Sequence, residues 1–332
     1  MITQLIRAFT MVMAIMLPQS SLWTIEEFTA TCMGTKFKIL IDHEDASIRK
    51  RGAESAFNEC QRLNQIFSDY LAESEISKLS DSSHKQKAVK ISQELFEVLQ
   101  FSLQLAQKTD GAFDPTLGHL SRTWRVARFR KKLPSTDQLM RALDLTGYEH
   151  LSLTGDKKAR IEKQGVILDL GGVAKGFAAD RMMVILNKLG IARCLIDAGG
   201  DLTLGDPPTG RNGWVVKIGS SNNTHLPQLN LSNCSVATSG DLEQFVEFEG
   251  KRYSHILDSK TGLGMENQMQ VTFIARSGMI ADAYATSAIS LGPDKTFKKL
   301  VKGSNNTAYF IIGDKQSPQT IELKDPHFDL DQ

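Results

Sequence analysis

The sequence lacks the features that define several large classes of protein. Its 332 residues include four cysteines and no Cys-x-x-Cys pair, so neither a zinc site nor a disulfide framework is predicted. Lysine and arginine total 39 against 38 aspartate and glutamate residues, and this balance provides no overall field to attract nucleic acid. Neither Gly-x-Gly-x-x-Gly nor a P-loop motif occurs. We expect the cysteines to be small buried hydrophobic residues, namely Cys32, Cys60, Cys194 and Cys234.

The amino-terminal segment has no hydrophobic run of the length that spans a bilayer. An apolar run from Ala8 to Leu17 is preceded by Arg7 and ended by Pro18, which is typical of a secretory signal. A buried core helix is the alternative. We predict a signal peptide or N-terminal anchor over residues 1–21, a single domain over residues 22–332, and export to the periplasm or to the outer face of the inner membrane.

Beyond the leader, strand and helix patterns alternate irregularly. Apolar residues at helical spacing predict helices over 53–67, 95–106, 175–189 and 280–292. Runs of β-branched and aromatic residues predict strands over 33–41, 165–172, 194–205, 214–219, 235–240, 251–258, 270–275 and 307–312. This irregular order favours an α+β fold over a doubly wound parallel sheet.

Residues 121–134 form a locally basic segment that contains Trp124. One interpretation is a docking strip for an acidic partner or a phosphate. The other is a solvated helix face with Trp124 turned inward, and it is favoured because runs of charge usually face water.

Three glycine-containing corners, at 171–172, 199–200 and 239–240, stand beside Asp or Thr residues. Backbone corners of this kind can direct several N–H groups at a phosphate. For any single corner, an ordinary hairpin turn is the simpler interpretation.

Asp282 and Thr286 lie four positions apart in a predicted helix, so they share one face. A carboxylate and a hydroxyl are hard oxygen ligands that suit Mg²⁺, which completes its shell with water and substrate phosphates. The alternative is that Asp282 interacts with the helix dipole and Thr286 bonds its own backbone. The two interpretations are evenly matched.

His255 is predicted to lie in the middle of a strand among apolar residues. A lone strand histidine is usually a hydrogen-bonded structural group. Its ordinary pKa near ~6.5 nevertheless makes it a candidate proton acceptor at neutral pH. Asp258, three positions further on, is expected to shape the following turn rather than to orient the imidazole.

Eight segments, taken in chain order, together resemble one family, the FAD:protein FMN transferases or ApbE family. They cover nearly all of the chain after the leader, and they read "MGTKFKI", "SDYLAESEISKLS", "TDGAFDPTLG", "LDLGGVAKGFAAD", "DAGGDLTLG", "ATSGD", "YSHILDSKTG" and "ADAYATSAISLG".

The resemblance implies a fold, an activity and a set of site residues. The fold would be α+β and T-fold-like, with mostly antiparallel sheets, packed helices and a flavin site between the subregions. The activity would be Mg²⁺-dependent transfer of the FMN half of FAD to a threonine of an acceptor protein, with release of AMP. His255 is the candidate proton acceptor, and Mg²⁺ would be held by the Gly172 carbonyl, Asp282 and Thr286. FAD would be contacted by Met33, Tyr70, Ala112, Phe113, Asp114, Asp169, Lys175 and Leu257.

Two alternatives to transfer remain open at this point. A Mg²⁺-dependent FAD pyrophosphatase would use the same residues with water in place of threonine, and a flavin-binding protein would bind FAD without turnover. The resemblance implies FAD and an acceptor protein as partners, one class of acceptor being a membrane-associated electron-transfer subunit. It implies no nucleic acid.

Overall fold

The computed structural model describes residues 24–85, 87–218, 227–240, 245–248, 250–313 and 318–326. The predicted leader, residues 1–21, lies outside these ranges. Within them, no helix combines the length and the apolar character needed to cross a membrane.

Fifteen strands and seven α-helices occur in the described ranges. The strands are β1 Thr24–Cys32, β2 Thr35–His43, β3 Val89–Lys90, β4 Leu151–Thr154, β5 Lys158–Ile161, β6 Cys194–Ala198, β7 Leu202–Leu204, β8 Trp214–Lys217, β9 Gln228–Leu231, β10 Ser235–Gly240, β11 Phe245–Phe248, β12 Lys251–Ser254, β13 Met269–Ala275, β14 Thr307–Ile312 and β15 Gln319–Lys324. The helices are α1 Ala46–Phe67, α2 Glu75–Asp81, α3 Gln93–Lys108, α4 Gly118–Arg130, α5 Thr136–Asp144, α6 Ala174–Lys188 and α7 Gly278–Thr296.

An eight-stranded sheet forms the centre of the fold, in the order β1-β2-β6-β7-β10-β13-β14-β15. Every neighbouring pair is antiparallel. Strand β2 turns Phe37, Ile39 and Ile41 into the core, as alternation along a strand requires. All residues of β13 are buried, because the sheet is covered on both faces at its centre. The predicted α+β class is confirmed.

Helices α1, α6 and α7 pack side by side on one face of this sheet. Helix α1 begins at Asp45, whose carboxylate accepts hydrogen bonds from the Ser47 and Ile48 amides at 2.7 and 3.2 Å, a regular N-cap. Helix α3 is capped by Ser92, whose hydroxyl accepts a 3.2 Å hydrogen bond from the Leu95 amide. The hairpin of β8 and β9 covers part of the opposite face with Trp214 and Val216.

A smaller core joins α4, α5 and the hairpin of β11 and β12. Its centre is Trp124, which is buried against Tyr253 with ring centroids 5.5 Å apart. The Trp124 indole donates a 2.7 Å hydrogen bond to the Gly262 carbonyl, so its polar atom is satisfied. This packing confirms that Trp124 faces inward. Leu120 and Ala127 of α4 are buried as well, whereas residues 128–130 are exposed.

The predicted strand over 165–172 is wrong. Val166, Leu168 and Leu170 are buried alternately, as they would be in a strand. Their backbone, however, bonds to loops and to a side chain. The Asp169 amide donates to the Pro115 carbonyl at 2.8 Å, and the Leu168 amide donates to Ser80 Oγ at 3.1 Å.

Two further strand predictions need correction. His255 does not lie inside a strand, because β12 ends at Ser254 and the Ser254 hydroxyl accepts a 3.0 Å hydrogen bond from the Ile256 amide. The chain therefore bends at His255. The segment 194–205 is a hairpin of β6 and β7, since Gly199 and Gly200 adopt φ of 73° and 105°, which glycine tolerates at little cost.

The cysteines also differ from the prediction, because Cys32 and Cys60 form a disulfide with their Cα atoms 6.6 Å apart. It connects the end of β1 to α1. Cys194 and Cys234 are free and buried, as predicted. Spacing along the chain gave no sign of the pair, which depends on the packing of α1 on the first hairpin.

Reduction of this disulfide is expected to lower the free energy of unfolding by about 3 kcal/mol, because the cross-link joins residues 28 positions apart and restricts the unfolded chain. Urea unfolding with and without reductant measures the difference. A Cys60→Ala variant serves as the control and should be insensitive to reductant. If reductant lowers the free energy of unfolding equally in the wild type and in Cys60→Ala, the prediction is contradicted.

Candidate functional site

A cavity of about 750 Å³ lies where the central sheet meets α4, α6 and α7. Its volume is in the range of small-molecule sites. All three predicted glycine-containing corners contribute to its wall, through Gly171 and Gly172, Gly199 and Gly200, and Ser239 and Gly240. The corners are therefore grouped around one space rather than being three independent turns.

Helices α6 and α7 approach closely at one side of the cavity. A Cβ at Gly176 would overlap the Gly278 carbonyl, and a Cβ at Gly278 would lie 2.6 Å from the Gly176 carbonyl oxygen. The absence of side chains at this crossing lets the Gly176 amide donate a 3.1 Å hydrogen bond to Asp282 Oδ2, although the two residues are 106 positions apart. Asp282 is thus held at the N-terminal turn of α6.

The 171–172 corner lies directly against α7. A Cβ at Gly172 would come within 3.1 Å of Thr286 Oγ1, so only glycine fits without displacing that hydroxyl. The Thr286 hydroxyl also lies 3.2 Å from Ser239 Oγ. The buried Asp282 carboxylate stands one helical turn before Thr286 on the same face of α7. The 171–172 corner therefore contacts the face of α7 that carries these two hard oxygen donors.

Lys175 sits between two carboxylates in the cavity wall. Its ammonium lies 2.8 Å from Asp201 Oδ2 and 3.4 Å from Asp282 Oδ2. Burial raises the pKa of Asp282 to about 6, although Lys175 opposes this shift. Burial alone would lower the pKa of Lys175, but Asp282 and Asp201 outweigh it and raise that pKa. One ammonium and two carboxylates leave one net negative charge at neutral pH, which favours a cation at this point.

Arg125 of α4 forms a second charged group in the cavity wall. It lies 2.7 Å from Asp69 Oδ2 and 3.5 Å from Asp169 Oδ2. Its guanidinium carbon is 4.0 Å from the centroid of the Tyr70 ring, a cation–π geometry. Asp169 Oδ1 in turn accepts a 2.8 Å hydrogen bond from the Gly171 amide. Arg125 is therefore fixed in place and linked to the 171–172 corner.

Comparison with known proteins identifies the family. A family model described as the ApbE family matches residues 33–311. The chain belongs to the ApbE family. A protein of Escherichia coli (strain K12) named FAD:protein FMN transferase is 29% identical over 301 residues, which cover 87% of this chain and 84% of that protein. The protein of the same name from Treponema pallidum (strain Nichols) is 31% identical over 281 residues, or 79% and 77% of the two chains.

Solved structures support the same assignment. The Pseudomonas stutzeri flavinyl transferase ApbE, in its apo form, has a TM-score of 0.79 at 27% identity, covering 91% of this chain and 95% of that one. The ApbE protein of Thermotoga maritima has a TM-score of 0.77 at 27% identity, covering 92% and 98%. The fold predicted from the family resemblance is confirmed.

In this ApbE-family chain, the cavity collects eleven of the twelve residues predicted for the site: Tyr70, Ala112, Phe113, Asp114, Asp169, Gly172, Lys175, His255, Leu257, Asp282 and Thr286. Met33 is the exception. It occupies the turn between β1 and β2 with φ of 48°. That turn lies beside the cavity, since a Cβ at Gly199 would come within 2.6 Å of Thr35 Oγ1, but Met33 itself is not part of the wall.

Asp114 is both a wall residue and a support for its own loop. Its carboxylate accepts hydrogen bonds from the Thr116 amide at 2.8 Å and the Thr116 hydroxyl at 2.6 Å. Burial raises the pKa of Asp114, and the bonds from Thr116 partly oppose that rise. Ser259 Oγ donates a 2.6 Å hydrogen bond to the Gly111 carbonyl, which anchors the loop of residues 110–117 to the turn that follows His255.

Several wall residues were not predicted from the sequence. Arg125 and Arg128 line the cavity, so the interpretation of segment 121–134 as a solvated face was incomplete. Asp201 was noted only as the neighbour of a corner, whereas it is the closer partner of Lys175. Helical spacing places Arg125 and Arg128 near Trp124, and an inward Trp124 was the available signal that these arginines border a site.

Proposed function

We propose that this chain transfers the FMN half of FAD to a threonine hydroxyl of an acceptor protein and releases AMP. The observation that carries the proposal is the meeting of Asp282, Thr286 and the 171–172 corner beside Lys175 in one cavity. The names of the relatives, FAD:protein FMN transferase, support the same reaction. Aromatic surface for flavin or adenine rings is available from Tyr70 and Phe113.

The donor set fits Mg²⁺ better than a transition metal. Asp282 and Thr286 offer hard oxygen atoms, as does the Gly172 carbonyl. Among the described residues, no group of three or more His, Cys, Asp or Glu side chains is arranged to hold a metal, so substrate phosphates would supply further ligands. A bound Mg²⁺ would neutralise charge on the FAD pyrophosphate.

The transfer step requires positioning more than covalent help from the protein. The threonine oxygen attacks the phosphorus on the FMN side of the pyrophosphate and forms a new P–O bond. The P–O bond to the AMP phosphate breaks, and AMP carries away the electron pair. His255, in the cavity wall, accepts the hydroxyl proton. Lys175 and Arg125 contribute an ammonium and a guanidinium group to the cavity wall.

Export is part of the proposal. The amino-terminal run ending at Pro18 has the pattern of a signal. The Cys32–Cys60 disulfide fits an oxidising compartment such as the periplasm. Fractionation of cells that produce the full chain, followed by thiol labelling, tests both points. A cytoplasmic protein with reduced Cys32 and Cys60 would contradict this part.

Incubation with FAD, Mg²⁺ and a carrier protein displaying a Ser/Asp-Gly-x-Thr segment tests the reaction directly. We expect fluorescent flavin to remain on the carrier in a denaturing gel, with one AMP released for each label. A carrier with Ala in place of the threonine should stay unlabelled. Free FMN and AMP without labelled carrier would assign a pyrophosphatase, and unchanged FAD would assign a binding protein.

Replacing Arg125 with Met is expected to raise the dissociation constant for FAD about tenfold, equivalent to about 1.4 kcal/mol. The change removes a positive charge from the cavity wall and leaves Asp69 and Asp169 without the guanidinium that contacts both. Quenching of FAD fluorescence measures the affinity. Arg130→Met, on the same helix but outside the cavity wall, is the control, and equal weakening in both variants would refute the role.

A further inference from the structure

The outward face of α4 carries an apolar surface that the transfer reaction does not explain. Phe129 is 90% exposed and Val126 is 46% exposed. They stand three positions apart and therefore lie on one face, with Arg130 beside them. Covering a phenylalanine side chain is worth about 1.5–3 kcal/mol, so a partner that buries Phe129 gains appreciable affinity.

The C-terminal end of α4 and the two residues that follow it are strongly basic. No acidic residue occurs between positions 121 and 132, which include Arg128, Arg130, Lys131 and Lys132. All four are exposed. Within the part of the chain that the structure describes, none of them forms a salt bridge. The positive charge of this segment is therefore not paired within the described residues, and it favours an acidic partner.

Helix α4 connects this face to the cavity. Trp124, Arg125 and Arg128 line the cavity from the inner side of the helix. Arg128 is also exposed, which places it at the mouth. Tyr70, against which Arg125 stacks, is 75% exposed at the same edge. A macromolecule that reaches into the cavity at this edge therefore meets the outward face of α4.

We propose that the α4 surface, formed by Val126, Phe129, Arg130, Lys131 and Lys132, docks the acceptor protein. The complementary part of the acceptor is an acidic segment with an apolar side chain, next to the residue that receives FMN. This inference rests on the proposed transferase function. An acceptor protein is preferred over an anionic membrane because an acceptor must bring its hydroxyl to the cavity mouth, which this surface borders.

A pair of carrier proteins tests the charge complementarity. Both display the same Asp-Gly-x-Thr segment, flanked in one by a run of aspartates and in the other by asparagines. Each is labelled by the wild type and by Arg130→Glu/Lys132→Glu. The matched control is Lys50→Glu/Arg51→Glu, which makes the same charge change on exposed positions of α1 outside the cavity wall.

For the wild type, we expect KM for the aspartate carrier to be about tenfold below that for the asparagine carrier, and the difference to shrink as salt is added. The Arg130→Glu/Lys132→Glu variant should lose this preference, with the Kd for FAD unchanged within twofold. The control variant should keep it. Phe129→Ser should raise KM for both carriers several-fold, whereas Val184→Ser, at another exposed apolar position, should not.

The outcomes distinguish failure of the transferase function from failure of the docking surface. If the wild type labels neither carrier, the transferase function itself fails, and the docking surface fails with it. If the wild type labels both carriers and the α4 variants behave like their controls, only the docking surface is refuted. Binding to vesicles containing phosphatidylglycerol that is lost in Arg130→Glu/Lys132→Glu, with carrier KM unchanged, would assign the surface to a membrane and overturn the inference.

Discussion

Asp282→Asn is expected to lower kcat/KM for FMN transfer by about 10³-fold, or about 4 kcal/mol. The reason is that Asp282 is the one carboxylate among the proposed metal ligands, and metal charge is worth several kcal/mol to a transition state. The amide has the same shape, and its oxygen can still accept from the Gly176 amide. Steady-state labelling over a range of Mg²⁺ concentrations measures the loss, and the Mg²⁺ requirement should weaken.

Asp180→Asn provides a matched control for this substitution. Asp180 also extends from α6 to α7, where it accepts hydrogen bonds from the Gly278 and Met279 amides at 2.7 and 2.9 Å. It lies outside the cavity wall. Its replacement should lower the free energy of unfolding by about 1–3 kcal/mol and leave kcat unchanged. If Asp282→Asn loses stability and retains its rate, its assignment as a metal ligand is wrong.

His255→Asn is expected to lower kcat by about 10²–10³-fold, because a positioned general base contributes on that order. FAD affinity should be unchanged, since the substitution leaves the charged groups of the cavity wall in place. Stopped-flow transfer measures kcat, and quenching of FAD fluorescence measures the affinity.

His119→Asn is the corresponding control for a histidine outside the cavity wall, where the His119 ring contacts the Gly165 carbonyl. It should keep the wild-type kcat. Loss of FAD binding in His255→Asn would instead identify His255 as a structural residue. An unchanged kcat would show that another group accepts the hydroxyl proton.

Local patterns in the sequence predicted the parts of the site that depend on a single element. The spacing of Asp282 and Thr286 correctly placed both on one face of a helix, and the β-branched runs correctly predicted most strands of the sheet. The predicted strand over 165–172 was wrong because a short apolar run buried at alternate residues occurs in extended loops as well as in strands. A strand and a loop of this kind differ only in the acceptors of their backbone amides, which here are the Ser80 hydroxyl and the Pro115 carbonyl.

Features that depend on contacts between two distant elements could not be predicted from the sequence. The Cys32–Cys60 pair requires α1 to pack on the first hairpin, and the contact of Lys175 with Asp282 requires α6 to cross α7 at Gly176 and Gly278. Arg125 was missed for a similar reason, because its role depends on which side of α4 faces the cavity. The family resemblance, by contrast, implied that Gly172 of one corner shares a site with Asp282 and Thr286.

The central claim is that one divalent cation, held between α7 and the 171–172 corner, binds the pyrophosphate of FAD. A crystal structure with FAD and Mn²⁺, using anomalous scattering to locate the ion, tests it most directly. The account predicts an anomalous peak among Asp282, Thr286 and the Gly172 carbonyl, with the pyrophosphate beside it. Bound FAD with no ion there, or FAD outside this cavity, would contradict it.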